Sequence, residues 1–197
     1  MGRQLYARVR TPVVVWAVTP SGVEMAATAA EAMRCQFDVV VGAHVRLDDS
    51  QIVGAMAEDA EAVLDPKFAP RFSSLAMLEQ SIDRARRAIK QERLLFRGPR
   101  SIRAVAGHAV VIIDGHVTNP WKLLAAAKCA ETMGPDGVVI AAAVSTQPVQ
   151  ELIRSRRLEF VCPSVVMDPN GHPMPFGDPQ DPSAERLRSI VVARQAA

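Results

Sequence analysis

Short, continuous runs of apolar residues alternate along this chain with longer segments in which apolar residues recur every three or four positions. Continuous runs of this length are typical of strands buried on both faces, whereas the longer periodic segments predict amphipathic helices. Strands are predicted at residues 13–18, 38–42, 109–114, 138–144 and 158–162, and helices at residues 23–33, 73–95, 121–133, 148–157 and 185–195. This alternation predicts an α/β fold with a mainly parallel central sheet of about five strands flanked by helices.

Two segments depart from the alternation. Residues 52–57 and 61–64 predict an antiparallel hairpin, and Glu58 and Asp59 are interpreted as the polar residues of its turn. Residues 163–182 contain six prolines, which exclude a long helix or a central strand there and predict an irregular surface loop. Residues 1–197 are therefore predicted to form a single domain that includes one irregular, proline-rich segment.

The longest predicted helix, which Ser73 or Ser74 would cap, has one apolar face and one basic face. The basic face carries Arg84, Arg86, Arg87, Lys90 and Arg93. A charged face of this kind is typically solvated, and a contact with an anionic ligand or with a second subunit is the alternative.

Composition narrows the class of protein further. Of the 197 residues, 49% are hydrophobic, which excludes a disordered chain. Lys and Arg outnumber Asp and Glu by only 23 to 21, so there is no electrostatic case for a nucleic-acid partner. No apolar run approaches the roughly 20 residues of a membrane-spanning helix. Cys35, Cys129 and Cys162 lack the close spacing of disulfide or zinc frameworks, and the chain is expected to be cytoplasmic.

The segment with the most chemical content is VVIIDGHVTNPWK, residues 110–122. A strand that ends at Asp114 and leads through a short loop into a helix directs backbone N–H groups and the helix dipole at a small concavity, which favours phosphate. Asp114 is placed to accept hydrogen bonds from ribose hydroxyls or to hold a divalent metal, Thr118 to donate to a phosphate, and His116 to meet a ligand. The alternative is an ordinary strand-to-helix turn in which Asp114 is a capping residue.

This segment resembles the phosphoribosyl-diphosphate motif of the type I phosphoribosyltransferases, in which two acidic residues and a glycine lead into a Thr-Gly loop. Asp114 matches the second acidic position, Gly115 the glycine and Thr118 the loop threonine. Residues 17–26 are similar to the family's first strand and its diphosphate-contacting loop, with Gly22 at a loop glycine.

The resemblance extends over roughly residues 13–162. Residues 38–44 match the family's second strand, and residues 52–58 are similar to a strand of a bacterial subgroup. A flavodoxin-like or Rossmann-like domain is a further alternative, which the single glycine of the first strand-to-helix turn disfavours.

The departures from the family pattern fall on charged or close-approach positions. Ile113 stands at the first acidic position and Pro20 at the basic residue of the diphosphate loop. Asn119, followed by Pro120 and Trp121, replaces the loop glycine and its small neighbours, and Ala43-His44 replaces an Arg-Lys pair. Because each lost charge-stabilising donor costs roughly 3–4 kcal/mol of transition-state stabilisation, these departures predict weak catalysis. Arg46 and Lys122 are the basic residues that could substitute.

The resemblance therefore implies a phosphoribosyltransferase-like protein with a degenerate site, acting as a non-catalytic or weakly active binding or assembly protein. Its implied ligand is phosphoribosyl or nucleotide-like. Asp114 is the candidate catalytic group, and the candidate ligand-binding residues are Gly22, Gly115, His116, Val117, Thr118, Asn119 and Lys122.

The alternative is an active transferase, a glycosyltransferase of nucleotide metabolism that moves phosphoribose onto a nitrogen base. Mg²⁺ is expected only in that case, and no metal-binding residue is assigned. The low aromatic content of 5% leaves little bulk to cover the sheet, which predicts a homodimer or a protein partner.

Overall fold

A computed structural model describes residues 12–47, 51–68, 75–167 and 183–195. The strands in chain order are β1 Val13–Ala17, β2 Gln36–Val39, β3 Gly42–Arg46, β4 Ile52–Ala57, β5 Val63–Leu64, β6 Ala109–Val117, β7 Gly137–Thr146, β8 Glu159–Val161 and β9 Ser164–Val166. The helices are α1 Pro20–Met33, α2 Leu75–Phe96, α3 Trp121–Thr132, α4 Gln147–Ser155 and α5 Ala184–Gln195. The predicted cap at Ser73 or Ser74 and residues 168–182 of the proline-rich segment lie outside the described residues.

The central sheet is parallel and has the order β2-β1-β6-β7-β8, with β9 pairing beside the far end of β7. In register, Val15 lies beside Val111, and Ile112 lies beside Ile140. The prediction that residues 109–114 and 138–144 form adjacent, buried parallel strands is confirmed. The described residues thus form the expected α/β domain with a mainly parallel sheet.

Helices cover both faces of this sheet, which explains why its strands are continuously apolar. On one face, Ile112 and its neighbours pack against α3 and α4, including the buried Leu123 and Ile153. On the other face, Ile113 and its neighbours pack against α1 and α5, including the buried Val23. The alternation of side chains along β6 therefore divides its residues between two apolar layers.

The predicted second strand, at residues 38–42, is wrong in its bounds. The chain leaves the central sheet after β2 ends at Val39 and enters a separate antiparallel sheet, of order β3-β4-β5, at Gly42. The predicted hairpin is confirmed, since β4 and β5 pair antiparallel, with Ala55 beside Val63. The small sheet packs against α2 through Val45, Ala85 and other apolar residues.

A buried ion pair joins the two sheets at this crossing. The Arg97 side chain donates to the carboxylate of Glu58 and, over 2.6 Å, to the carbonyl of Val39. The other oxygen of Glu58 accepts from the backbone N–H of Val41 over 2.8 Å. Glu58 lies in the predicted turn after β4, but it is not a solvated polar residue: it is 3% exposed and fixes the chain between β2 and β3.

Smaller differences concern element ends. Helix α1 begins at Pro20 rather than at residue 23, because Thr19 caps it and proline is tolerated in a first turn. Within the predicted proline-rich loop, Ser164–Val166 forms β9, which adds to the edge of the sheet. None of the helices in the described part of the chain has the length and apolar character needed to cross a bilayer.

We expect replacement of Arg97 by Met to lower the free energy of unfolding by about 3–5 kcal/mol, because it leaves the Glu58 charge buried without its partner. Urea unfolding monitored by circular dichroism measures this. The control is Arg86→Ala, which breaks a pair with Asp83 whose side chains are 65% and 55% exposed and should cost no more than about 1 kcal/mol. Equal stability of the two variants would contradict the prediction.

Candidate functional site

Asp114 lies on β6 where the start of α1 crosses the sheet, and it is only 5% exposed. Its Oδ1 atom accepts hydrogen bonds from the hydroxyl of Thr19, from the hydroxyl of Ser21 over 3.2 Å and from the backbone N–H of Gly115 over 2.7 Å. The Oδ1 oxygen of this carboxylate is therefore bonded to groups of the protein itself.

The start of α1 supplies these hydroxyls because of its capping geometry. Thr19 is the N-cap residue with extended backbone, and its Oγ1 also accepts from the N–H of Gly22 over 3.3 Å. Gly22 permits the close approach: a Cβ atom there would lie 2.7 Å from the carbonyl oxygen of Ile113 and 3.1 Å from the Cα of Asp114. Any larger residue would separate α1 from β6.

Burial controls the ionisation of this carboxyl. Loss of solvation raises the pKa of Asp114 above its ordinary value. The hydrogen bonds from Thr19, Gly115 and Ser21 and the positive charge of Lys122 act in the opposite direction, without cancelling the effect of burial.

The predicted loop after Asp114 is shorter than the sequence indicated. Strand β6 continues to Val117, because β7 is long enough to pair with its last residues, His116 beside Val144 and Val117 beside Ser145. The prediction that the strand ends at residue 114 is therefore wrong. Only residues 118–120 separate the strand from α3.

The loop and the first residue of α3 differ in their exposure to solvent. Thr118 is exposed, whereas Trp121 is buried in the core beneath the sheet. Asn119 accepts the backbone N–H of Trp121 at its Oδ1 over 3.1 Å, so one N–H of the helix start is already satisfied. Trp121 replaces a small residue of the family pattern, but its side chain is buried in the core and does not crowd the loop.

Lys122 connects the loop to the small sheet. Burial, together with the positive charges of Lys122 and Arg46, lowers the pKa of His44 to about 4, although a hydrogen bond with Asn119 acts in the opposite direction. His44 is therefore neutral at physiological pH and lies among positive charges.

Six of the eight candidate residues fall into two groups. Gly22, Gly115 and Asp114 meet where α1 crosses β6, and Thr118, Asn119 and Lys122 lie at the start of α3. Val117 is buried in the core, and His116 has a buried Nε2 without a hydrogen-bond partner among the described residues. Lys122 links the groups through its charge on Asp114.

Sequence reasoning missed Thr19 and Ser21 as partners of Asp114. The signal for their location was present, since a threonine followed by proline is typical of a helix N-cap and first turn. Their contact with a residue more than 90 positions away had no local signal.

The donor set does not fit a protein-held Mg²⁺ ion. Magnesium is usually bound through one or two carboxylates together with phosphates of the substrate. Here Asp114 is buried and accepts three internal hydrogen bonds, and the preceding residue is the apolar Ile113. In the part of the chain that the structure describes, no three His, Cys, Asp or Glu side chains are grouped as a metal site would require.

Comparison with solved structures identifies the fold. The crystal structure of TT1426 from Thermus thermophilus matches with a TM-score of 0.80 at 26% identity, covering 98% of this chain and 92% of that chain. Adenine phosphoribosyltransferase from Leishmania donovani matches at 0.52 and 12% identity, covering 95% and 72%. The Giardia lamblia adenine enzyme, complexed with 9-deazaadenine, matches at 0.50 and 10% identity, covering 85% and 78%. The chain therefore has a phosphoribosyltransferase-like fold.

No protein-family model and no curated protein matches the sequence.

We expect Gly22→Ala to destabilise the protein, because the added Cβ meets the backbone of β6 rather than a side chain that can move. The matched control is Gly137→Ala, where an added Cβ has no neighbouring atom within 4 Å. Thermal unfolding of both variants measures the difference. A Gly22→Ala protein that melts at the temperature of Gly137→Ala would contradict the close approach of α1 and β6.

We expect Asp114→Asn to be at least as stable as the parent at pH 7 and to have a flatter stability profile in acid. The pKa of Asp114 is higher in the folded protein than the ordinary value of 3.8 in the unfolded chain. Ionisation of Asp114 therefore begins to destabilise the folded state as the pH rises through 3.8, and the destabilisation is complete once the pH exceeds the folded-state pKa. The amide removes this charge and retains an oxygen that accepts hydrogen bonds. Urea unfolding between pH 3 and pH 8 tests it; a large loss at pH 7 with no loss at pH 3 would show that the charge stabilises the fold.

Proposed function

We propose that this protein binds a phosphoribosyl or nucleotide-like ligand at the start of α3 and transfers phosphoribose weakly or not at all. The binding surface comprises Thr118, Asn119 and Lys122 together with the adjacent residues Gly115 and His116. The role of such a protein is that of a binding or assembly component with a phosphoribosyltransferase-like fold.

The observation that carries this proposal is the internal use of Asp114. An acidic residue that holds ribose hydroxyls must present its oxygens to the ligand, whereas the Oδ1 of Asp114 accepts from Thr19, Ser21 and the N–H of Gly115. Its burial also opposes the charged form. A ligand would have to displace these donors before it could use that oxygen.

The surroundings of the β1–α1 turn also support weak transfer. A departing diphosphate is stabilised by positive groups aimed at its developing charge, and one such donor is worth roughly 3–4 kcal/mol. Pro20 occupies the first turn of α1 and contributes no charge and no N–H. At the expected first acidic position the side chain of Ile113 is fully buried in the apolar layer beneath α1.

More observations support the binding of an anionic group than support the transfer of phosphoribose. Thr118 is exposed and lies three residues before Trp121, where α3 begins, and the dipole at a helix start favours negative charge. Lys122 adds a positive side chain in the first turn of that helix. These features favour a phosphate ester over a free base as the recognised part of the ligand.

The alternative function is an active transferase that moves phosphoribose onto a nitrogen base. One observation favours it. The positive charge of Lys122 acts on Asp114, so the site has a positive charge although the basic positions of the family pattern are occupied by other residues. In that case Mg²⁺ would arrive with the diphosphate substrate. The homodimer or protein partner expected from composition stays a prediction.

The proposal is tested by incubating the protein with phosphoribosyl diphosphate, Mg²⁺ and a panel of purine and pyrimidine bases while measuring diphosphate release. We expect turnover far below the roughly 1 s⁻¹ of ordinary enzymes. Binding of ribose 5-phosphate, followed by NMR, should be measurable and should weaken in Thr118→Ala. The matched control is Thr28→Ala, which removes an exposed hydroxyl on α1 that bonds to the carbonyl of Glu24 in its own helix.

Turnover near 1 s⁻¹, as in ordinary enzymes, that is abolished in Asp114→Ala would establish the alternative instead. Absence of both turnover and ribose 5-phosphate binding would reject ligand binding and catalysis and would leave only the assembly role.

A further inference from the structure

A cavity lies between the small sheet, α2 and the start of α3, next to the loop of residues 118–120. It has a volume of about 300 Å³, at the lower end of the range for small-molecule sites. Its polar lining comprises His44, Arg46, Ser81, Arg84, Glu92 and Lys122. Asp114 and Thr118 do not line it, so it is separate from the site considered above and shares with it only Lys122.

The charge of this lining is unbalanced. Three positive side chains, from Arg46, Arg84 and Lys122, face the cavity together with the single carboxylate of Glu92. These cations come from three different elements, β3, α2 and α3, so the fold brings them together over long sequence distances. A concave surface with an excess of one sign concentrates ions of the opposite sign.

Arg84 is positioned at the wall of the cavity by its own helix. Its guanidinium donates to the hydroxyl of Ser81 over 3.2 Å, and that hydroxyl donates to the carbonyl of Met77 over 3.0 Å. Arg87, three positions further along the same helix, is also exposed but lines no part of the cavity. The basic face of α2 is therefore not uniform: Arg84 faces a built concavity, whereas Arg87 lies outside it.

The protonation of His44, which lines this cavity, should respond to a bound anion. His44 is half-buried, and the charges that act on it are those of Lys122 on α3 and Arg46 on its own strand, while Arg84 and Glu92 line the same cavity from α2. These surroundings keep the imidazole neutral, with its pKa at about 4. An anion among the same cations would offset their repulsion and favour the protonated ring, which would then be a further donor.

We propose that this cavity binds a phosphate group or another compact divalent oxyanion, held by Arg46, Arg84 and Lys122, with His44 taking up a proton as the anion binds. The site goes beyond the proposed phosphoribosyl site, because its distinguishing residues, Arg84 and His44, belong to α2 and β3. Ligands of this class include free phosphate and the phosphate of a small ester.

Calorimetric titration with inorganic phosphate, at ionic strength held constant with NaCl, tests the site directly. Loss of one charged donor to the anion should weaken binding in Arg84→Gln by roughly tenfold or more. The matched control, Arg87→Gln, removes the same charge from the same helix and should bind as the parent does. Thr118→Ala should also bind inorganic phosphate in this cavity as the parent does, which separates this site from the phosphoribosyl site.

The protonation of His44 provides a second readout that a purely structural role would not change. Sulfate keeps a constant charge across the range, so the His44 ring signals can be followed by NMR in acid and up to neutral pH with and without it. We expect the midpoint to rise from about 4 when sulfate is present, and to rise less in Arg84→Gln. Tighter sulfate binding at lower pH follows, because binding takes up a proton.

The proposal is overturned if phosphate does not bind at millimolar concentration, or if Arg84→Gln and Arg87→Gln bind equally well. It is also overturned if phosphate binding is lost in Thr118→Ala alone, since the anion would then occupy the loop before α3. Failure of ribose 5-phosphate to bind, with inorganic phosphate binding dependent on Arg84, would reject the proposed function and leave this site standing.

Discussion

The approach of α1 to β6 at Gly22 is the constraint on which the candidate site of this molecule depends. Two backbones meet there closely enough that a single methyl group would collide with the carbonyl of Ile113. The same approach brings the Thr19 and Ser21 hydroxyls onto Asp114 and removes its carboxylate from solvent. Because buried charges require hydrogen-bond partners, the packing of the helix and the satisfaction of the carboxylate form one arrangement. A ligand that competes for the Oδ1 of Asp114 must therefore also compete with the packing of α1 against β6.

The central sheet was predictable because its physical signal is local. A strand covered by helices on both faces must be apolar at every position, and residues 109–113 and 138–144 carry that signal without interruption. Strand ends were less predictable, since the extent of β6 depends on the length of its neighbour β7. Likewise, the apolar residues 39–41 run from one sheet to the other, so hydrophobicity alone does not reveal that the chain changes sheets.

The candidate site shows the same division between local and distant information. The approximate position of the turn before α3 could be predicted from residues 114–122, which are contiguous, although β6 extends to Val117. The partners of Asp114, by contrast, lie 95 and 93 positions away in sequence. Glu58 was misinterpreted for the same reason: an acidic residue beside a turn resembles a solvated one until Arg97, 39 positions later, folds against it. A single sequence does not indicate which charges will become partners in the interior.

Lys122 links the buried carboxyl of Asp114 to the cavity that His44, Arg46 and Arg84 line. Its positive charge lowers the pKa of Asp114 and also lowers the pKa of His44, so it favours a charged carboxylate on one side and a neutral imidazole on the other. An anion bound to Lys122 would weaken both effects at once, making His44 easier to protonate and Asp114 harder to ionise. Both changes raise a pKa, so both favour the protonated form. An anion bound beside Lys122 at constant pH would therefore alter the ionisation of His44 and of Asp114. Through Lys122, anion binding in the cavity is therefore expected to influence the ionisation of Asp114.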